Sequence, residues 1–192
     1  MLLAWCTLFS GVRIADAAVL SLSPTAGTFS VDSTFAASVF LDTEGQSVNL
    51  FDVTLTFPAD KMQVVSPTVG KSIVAIWTTT PYIDNERGII HLQGGIPKGI
   101  NTESGLITAI NFRVRRLGDA VIKFSDSSNV LLNDGKGTEA LKDTINAVYT
   151  FALPPPEGPL VVSNTHPNQT HWYTSANAFL SWPADPNVSE YS

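Results

Sequence analysis

The chain has few of the side chains that do covalent or metal chemistry. Of its 192 residues one is cysteine, Cys6, and three are histidine, His91, His166 and His171. A single thiol excludes an internal disulfide and any cysteine-based metal site. Lysine and arginine number 11 against 17 acids, for a formal net charge of -6. The electrostatic footprint of a nucleic-acid binder is therefore missing, and the same sign disfavours an anionic membrane surface. The one short basic run, Arg113 with Arg115 and Arg116, falls at a strand end and reads as a solvated edge. No stretch holds a 3.6-residue apolar period, which argues against helices, and no apolar run is long enough to span a bilayer.

The first apolar segment, Met1 to Val12, is followed by Ala15, Asp16 and Ala17 in a small-x-small pattern. That combination reads as a secretory leader, residues 1–17, cleaved after Ala17. It lacks the usual early Lys or Arg, so the true start could lie upstream of Met1. Cys6 falls inside it, behind Trp5, where lipid-anchor signals have a small residue. The mature chain is thus expected to lack a thiol and to be held together by burial alone.

What the sequence does have is alternation. At 44% hydrophobic and 15% charged it has the composition of a globular chain. In Val48 to Val65, Phe51, Val53, Leu55 and Phe57 alternate with Asp52, Thr54 and Thr56, as a strand with one buried and one wet face requires. Pro58 ends that ladder, Asp60 turns the chain, and Met62, Val64 and Val65 begin a second run, making a hairpin-like unit. Before it, Ala18–Ser23 reads as a strand and Pro24–Gly27 as a turn. Phe35, Ala37, Val39 and Leu41 then share one face of a second long strand. The polar turn Asp42–Gln46 lets this strand pair antiparallel with the Val48 stretch.

Ser66–Asn85 reads as a long irregular excursion with a short strand or helical turn, Gly88–Gln93 as a strand and Gly94–Gly99 as a loop. Leu106, Thr108, Ile110, Phe112 and Val114 mark another amphipathic strand, and Ala120, Ile122 and Phe124 mark its return. Val130–Leu132 and Ala147–Phe151 close the set around a Gly-rich loop, Asn133–Thr138. Eight or nine short strands with turns about every ten residues predict an all-β fold, a two-sheet β-sandwich of jelly-roll type, over residues 18–152.

Residues 153–159, LPPPEGP, form a Pro-rich linker of polyproline II character. Beyond it, residues 160–192 read as an incomplete second β module with strands near Leu160–Ser163 and Ala178–Trp182. Val161, Trp172, Phe179 and Trp182 would lack core partners there. The expectation is a piece of a longer modular protein.

Two segments resemble a known family. Phe57-Pro58-Ala59-Asp60-Lys61-Met62-Gln63-Val64-Val65 is similar to the strand-turn-strand signature of cohesin domains, with Met62 where leucine is more usual. Gly105-Leu106-Ile107-Thr108-Ala109-Ile110-Asn111-Phe112-Arg113-Val114 resembles the cohesin pattern Gly-x-Leu-x-x-Ile-x-Phe-x-Val. Thr28–Phe35 matches the family's early turn in part, with Asp32 and Ser33 replacing its Gly-Asp. The tail around His166–Trp182 looks like the entry to an Ig-like or fibronectin-type repeat. The cohesin resemblance implies a nine-strand jelly roll in a secreted or cell-surface bacterial protein. It also implies protein adhesion to a dockerin-like partner in a polysaccharide-handling context. It does not carry contact residues over one by one.

No catalytic constellation stands out, since the histidines and acids are dispersed, and the expectation is a binding module and not an enzyme. Asn133–Thr138 offers oxygen ligands of the kind calcium takes, but Lys136 and the absence of EF-hand spacing favour a plain glycine turn; no cofactor or metal is expected. Asn168-Gln169-Thr170 and Asn187-Val188-Ser189 fit the glycosylation sequon. Trp77 and Tyr82, in the irregular excursion beside Pro81, are the candidate ligand-binding residues. They could be a protein anchor or a sugar-stacking platform, with Trp77 alternatively a cap on the core. The other functions to weigh are a carbohydrate-binding module and a passive spacer in a surface stalk.

Overall fold

Alternation decides which side of each strand is buried. In β3 (Thr34–Asp42) the inward residues are Phe35, Ala37, Val39 and Leu41, and in β4 (Val48–Thr56) they are Phe51, Val53 and Leu55, all buried. The computed structural model describes residues 18–68, 71–155, 158, 160–168 and 170–183. The expected leader, 1–17, lies outside the described residues. No helix occurs among them, so none is long and apolar enough to cross a membrane.

The chain divides into two compact units, 1–153 and 154–192. In the first, β1 (Ala18–Ser23), β3, β5 (Met62–Thr68), β9 (Gly105–Val114) and β12 (Leu141–Ile145) form a sheet ordered β12-β1-β3-β9-β5. Facing it are β2 (Ala26–Ser30), β4, β6 (Ile76–Trp77), β8 (Ile89–Ile100), β10 (Gly118–Phe124) and β13 (Ala147–Ala152). They are ordered β2-β13-β10-β4-β8-β6, with β7 (Tyr82–Asp84) on β8 and β11 (Asn129–Leu132) on β4. The two inner faces make one core, a two-sheet jelly-roll β-sandwich. Its aromatic centre is Phe35, stacked on Phe29 at 4.1 Å and met edge-on by Tyr149 at 4.9 Å.

Several connections differ from the sequence reading. β3 and β4 are not a hairpin: β3 pairs with β1 and β9, whereas β4 pairs with β8, β10 and β11 in the opposite sheet. The turn Asp42–Gln46 carries the chain across the sandwich. Buried Thr43 pins it there, its N–H donating to Thr102 O at 2.8 Å and its Oγ1 accepting from Thr102 N–H at 3.0 Å. Likewise β4 and β5 lie in opposite sheets and are not a hairpin-like unit. In each case both strands have an apolar side, and placing them in opposite sheets buries both sides against each other.

Pro24–Gly27 is only partly a turn, because β2 begins at Ala26; β1 and β2 sit in different sheets on either side of the Pro24 bend. Their parallel neighbours β12 and β13 switch sheets in the same way across Asn146. Gly94–Gly99 is not a loop, since β8 runs through it to Ile100. Gly94 faces the core, where a Cβ would stand 2.6 Å from Val74 Cγ1 and 2.8 Å from Phe51 Cζ, so glycine marks close packing and not a chain reversal. In β9 a bulge opposite Val39/Phe40 turns Ile107 inward and Leu106 outward, reversing the expected phase at that end. β12 lacks clean alternation, so no period of two marks it in the sequence.

In the second unit β14 (Val162–Ser163) and β15 (Leu180–Ser181) pair antiparallel. His166 is stacked edge-on with Tyr173 at 4.5 Å, and its Nε2 is 2.7 Å from Ser175 O. Trp172 and Phe179 are exposed.

Candidate functional site

The outer side of the sheet containing β4 and β8 carries an ordered polar network. It is built by register. Asp52 is opposite Gln93 on one side and Asn129 on the other, Thr54 is opposite His91, and His91 is opposite Tyr82. All of these occupy outward positions, because their chain neighbours Phe51, Val53, Ile90 and Leu92 point into the core.

The Asp52 carboxylate accepts twice, at 2.6 Å from His91 Nε2 and at 2.9 Å from Gln93 Nε2. Since a carboxylate only accepts, the imidazole hydrogen in that contact sits on Nε2. Gln93 Oε1 in turn accepts from Thr78 Oγ1 at 3.0 Å. His91 and Asp52 retain about a third of their side-chain surface, 34% and 35%, so the network is fixed yet open to a partner. Beside it, Leu131, Leu50, Gly95 and Ile76 form one cross-strand row, with Ile76 54% exposed.

Trp77 and Tyr82 are placed on opposite sides of this sheet. Trp77 pairs with inward-facing Gly94 and meets Phe51 edge-on at 5.9 Å, half-buried against the core. Tyr82 lies outward and exposed, its hydroxyl donating to Asp84 Oδ2 at 3.3 Å. The Asp84 carboxyl is held below its ordinary value, first by the Arg87 backbone N–H and then by those of Glu86 and the Tyr82 hydroxyl, against the opposing effect of desolvation.

The Asp52–His91–Gln93–Thr78 network and the apolar row escaped the sequence reading. Asp52 and His91 are separated by 39 residues, and each shows only as a polar residue between buried neighbours. An outward acid and an outward histidine on two strands was the available signal, and only the register joins them. In the loop Asn133–Thr138 the Asp134 carboxylate is taken up internally, by the Thr138 hydroxyl at 2.5 Å and the Lys136 N–H at 2.8 Å. No group of three or more metal-ligating side chains is gathered among the described residues.

No family model matches the sequence. No curated protein matches it either. Solved structures do match. A type I cohesin–dockerin complex from Clostridium thermocellum aligns with a TM-score of 0.60 at 12% identity, covering 72% of this chain and 96% of the other. The seventh ScaB type I cohesin from Pseudobacteroides cellulosolvens aligns at 0.58 and 16% identity, covering 72% and 94%. A non-cellulosomal cohesin from the archaeon Archaeoglobus fulgidus aligns at 0.56 and 14%, covering 70% and 91%. At these identities the likeness is one of fold, and the chain carries the fold of cohesin domains.

Proposed function

We propose that the sandwich is a non-catalytic adhesive module that docks a dockerin-type protein through the outer face of β4, β8 and their neighbours. The observation that carries this is the Asp52-centred network. It is a preorganised set of hydrogen-bonding groups, about one-third exposed, on the outer face of the sheet beside an apolar row that ends in exposed Ile76. Flat, rigid polar surfaces with an apolar strip suit a protein partner, not a small substrate. The matched complexes of cohesins with dockerins support the same reading. Tyr82 contributes an aromatic contact, and Trp77 supports the face from beneath. The expected leader, Pro-rich linker and following Ig-like or fibronectin-type module would make this a segment of a secreted or cell-surface bacterial protein in a polysaccharide-handling system.

Calorimetric titration against a panel of dockerin modules tests the proposal. Saturable one-to-one binding to at least one member is expected, weakened about 30-fold by Asp52→Ala, the equivalent of about 2 kcal/mol at a central contact. No heat with any member counts against it.

A second reading has its own observation. Exposed Tyr82 with Asp84, His91 and Gln93 nearby has the elements of a sugar platform, a ring to stack on and polar groups to bond hydroxyls. Affinity electrophoresis in soluble polysaccharides separates the two, since retardation lost on Tyr82→Ala would favour sugar.

A further inference from the structure

The opposite outer face, on the sheet β12-β1-β3-β9-β5, is covered by no other strand among the described residues of this unit, and its features are arranged in a self-complementary way. Its middle positions are small: Ser23, Ser38 and Ala109 share one register row, and Ala36 lies one outward position further along β3. On the other side of that row stand Phe40 and Leu106, paired with each other, with Ile145 on the edge strand 45% exposed. Phe40, Val19 and Ile145 line a groove of about 660 Å³ whose rim carries Asp42 and Glu103.

Charge is separated along the strands. At one end lie Asp42, Asp143 and Glu103, with Lys142 there paired to Glu44, and at the other Arg113, opposite Thr34 and Gln63, with Arg115 and Arg116 following and Asp32 beside Val114. Among the described residues Asp42, Asp143, Glu103, Arg113, Arg115 and Arg116 are in no ion pair, and the Asp42 carboxylate accepts from the Glu44 N–H at 2.8 Å through one oxygen. Thr34 and Asp42 are separated by about 26 Å at about 3.3 Å per residue.

We propose that this face binds a second copy of the chain, back to back. A two-fold axis lying in the interface across the strands at Ser38 and Ala109 exchanges the two ends. It sets Asp42 of each copy against Arg113 of the other and seats each Phe40 on the facing Ala36. A two-fold contact requires a patch that complements itself, and opposite charges on either side of a row of small residues meet that requirement. The other two-fold, along the strands, would oppose acid to acid. The face is about 26 Å by about 19 Å, smaller than a standard interface, so the association is weak and salt-sensitive. It leaves the proposed dockerin face free.

Sedimentation velocity on the full chain tests this at low and high salt, with circular dichroism to confirm folding. The wild type is expected to dimerise reversibly at tens of micromolar and to dissociate in about 0.5 M salt. Asp42→Arg alone and Arg113→Glu alone should each weaken the dimer at least ten-fold, and a one-to-one mixture of the two variants should restore it, because both contacts are then attractive. A wild type that stays monomeric would overturn the proposal. So would folded variants that dimerise unchanged, or a mixture that stays monomeric.

Discussion

Tyr149 ties the two sheets together at the scale of a single side chain. Its ring packs edge-on against Phe35 and Phe29, and its hydroxyl donates to Pro24 O at 2.7 Å, holding the bend where the chain changes sheets. Tyr149→Phe keeps the packing and loses that bond, and thermal or urea unfolding should show a loss of about 1 kcal/mol. Burial pushes the Tyr149 phenol from 10.0 up to about 12. A raised folded value favours the neutral form, so its share of stability is whole below about pH 10 and is lost as pH rises from 10 through 12. The Phe variant should lack that alkaline loss in a pH series of melting temperatures. At the acid end the signs reverse. Asp134, held low chiefly by the Thr138 hydroxyl, and Asp84 have folded values below 3.8. Their contributions are present above that value and fade as pH falls through the lower folded values, and Asp134→Asn should flatten that limb.

Edges and registers are decided at the scale of the element. β5 ends the five-stranded sheet, and the Asn85 side chain brackets it as a further strand would: Oδ1 accepts from Val64 N–H at 2.7 Å and Nδ2 donates to Val64 O at 3.0 Å. Asn85→Ala should cost about 1–2 kcal/mol and uncover a strand edge, visible as lower urea midpoint and faster light scattering on heating. Gly94→Ala adds a methyl where Phe51 and Val74 already stand, and a loss of about 1–3 kcal/mol is expected. These elements also show why part of the fold was legible. A period of two is local, so the buried sides of β3, β4, β10 and β13 could be read directly. Which strand lies beside which is not local. β3 and β4 read as a hairpin because their turn is short and polar, yet β3 pairs with β1 and β9 and β4 with β8, β10 and β11, registers between distant segments that no local pattern encodes. Gly94 resembled a loop residue because a sequence shows the missing side chain and not the ring that fills its place. The same limit hid the site: Tyr82 announces itself as an aromatic among breakers, whereas the Asp52–His91 contact exists only after β4 and β8 take their register.

For the molecule as a whole, one sandwich core supports two outer faces of different character. The face of β4 and β8 is polar, networked and rimmed by Tyr82 and Ile76, whereas the opposite face is small-featured with charge separated along its strands. We propose the first as the seat of a dockerin-type partner. Mapping amide chemical shifts of the labelled protein as a binding dockerin is added tests that assignment most directly. Shifts and line broadening should concentrate at Leu50, Asp52, Tyr82, His91 and Gln93 and leave Ser21, Ser38 and Ala109 unmoved. Perturbations centred on Ser21, Ser38 and Ala109, with the β4–β8 face silent, would contradict it.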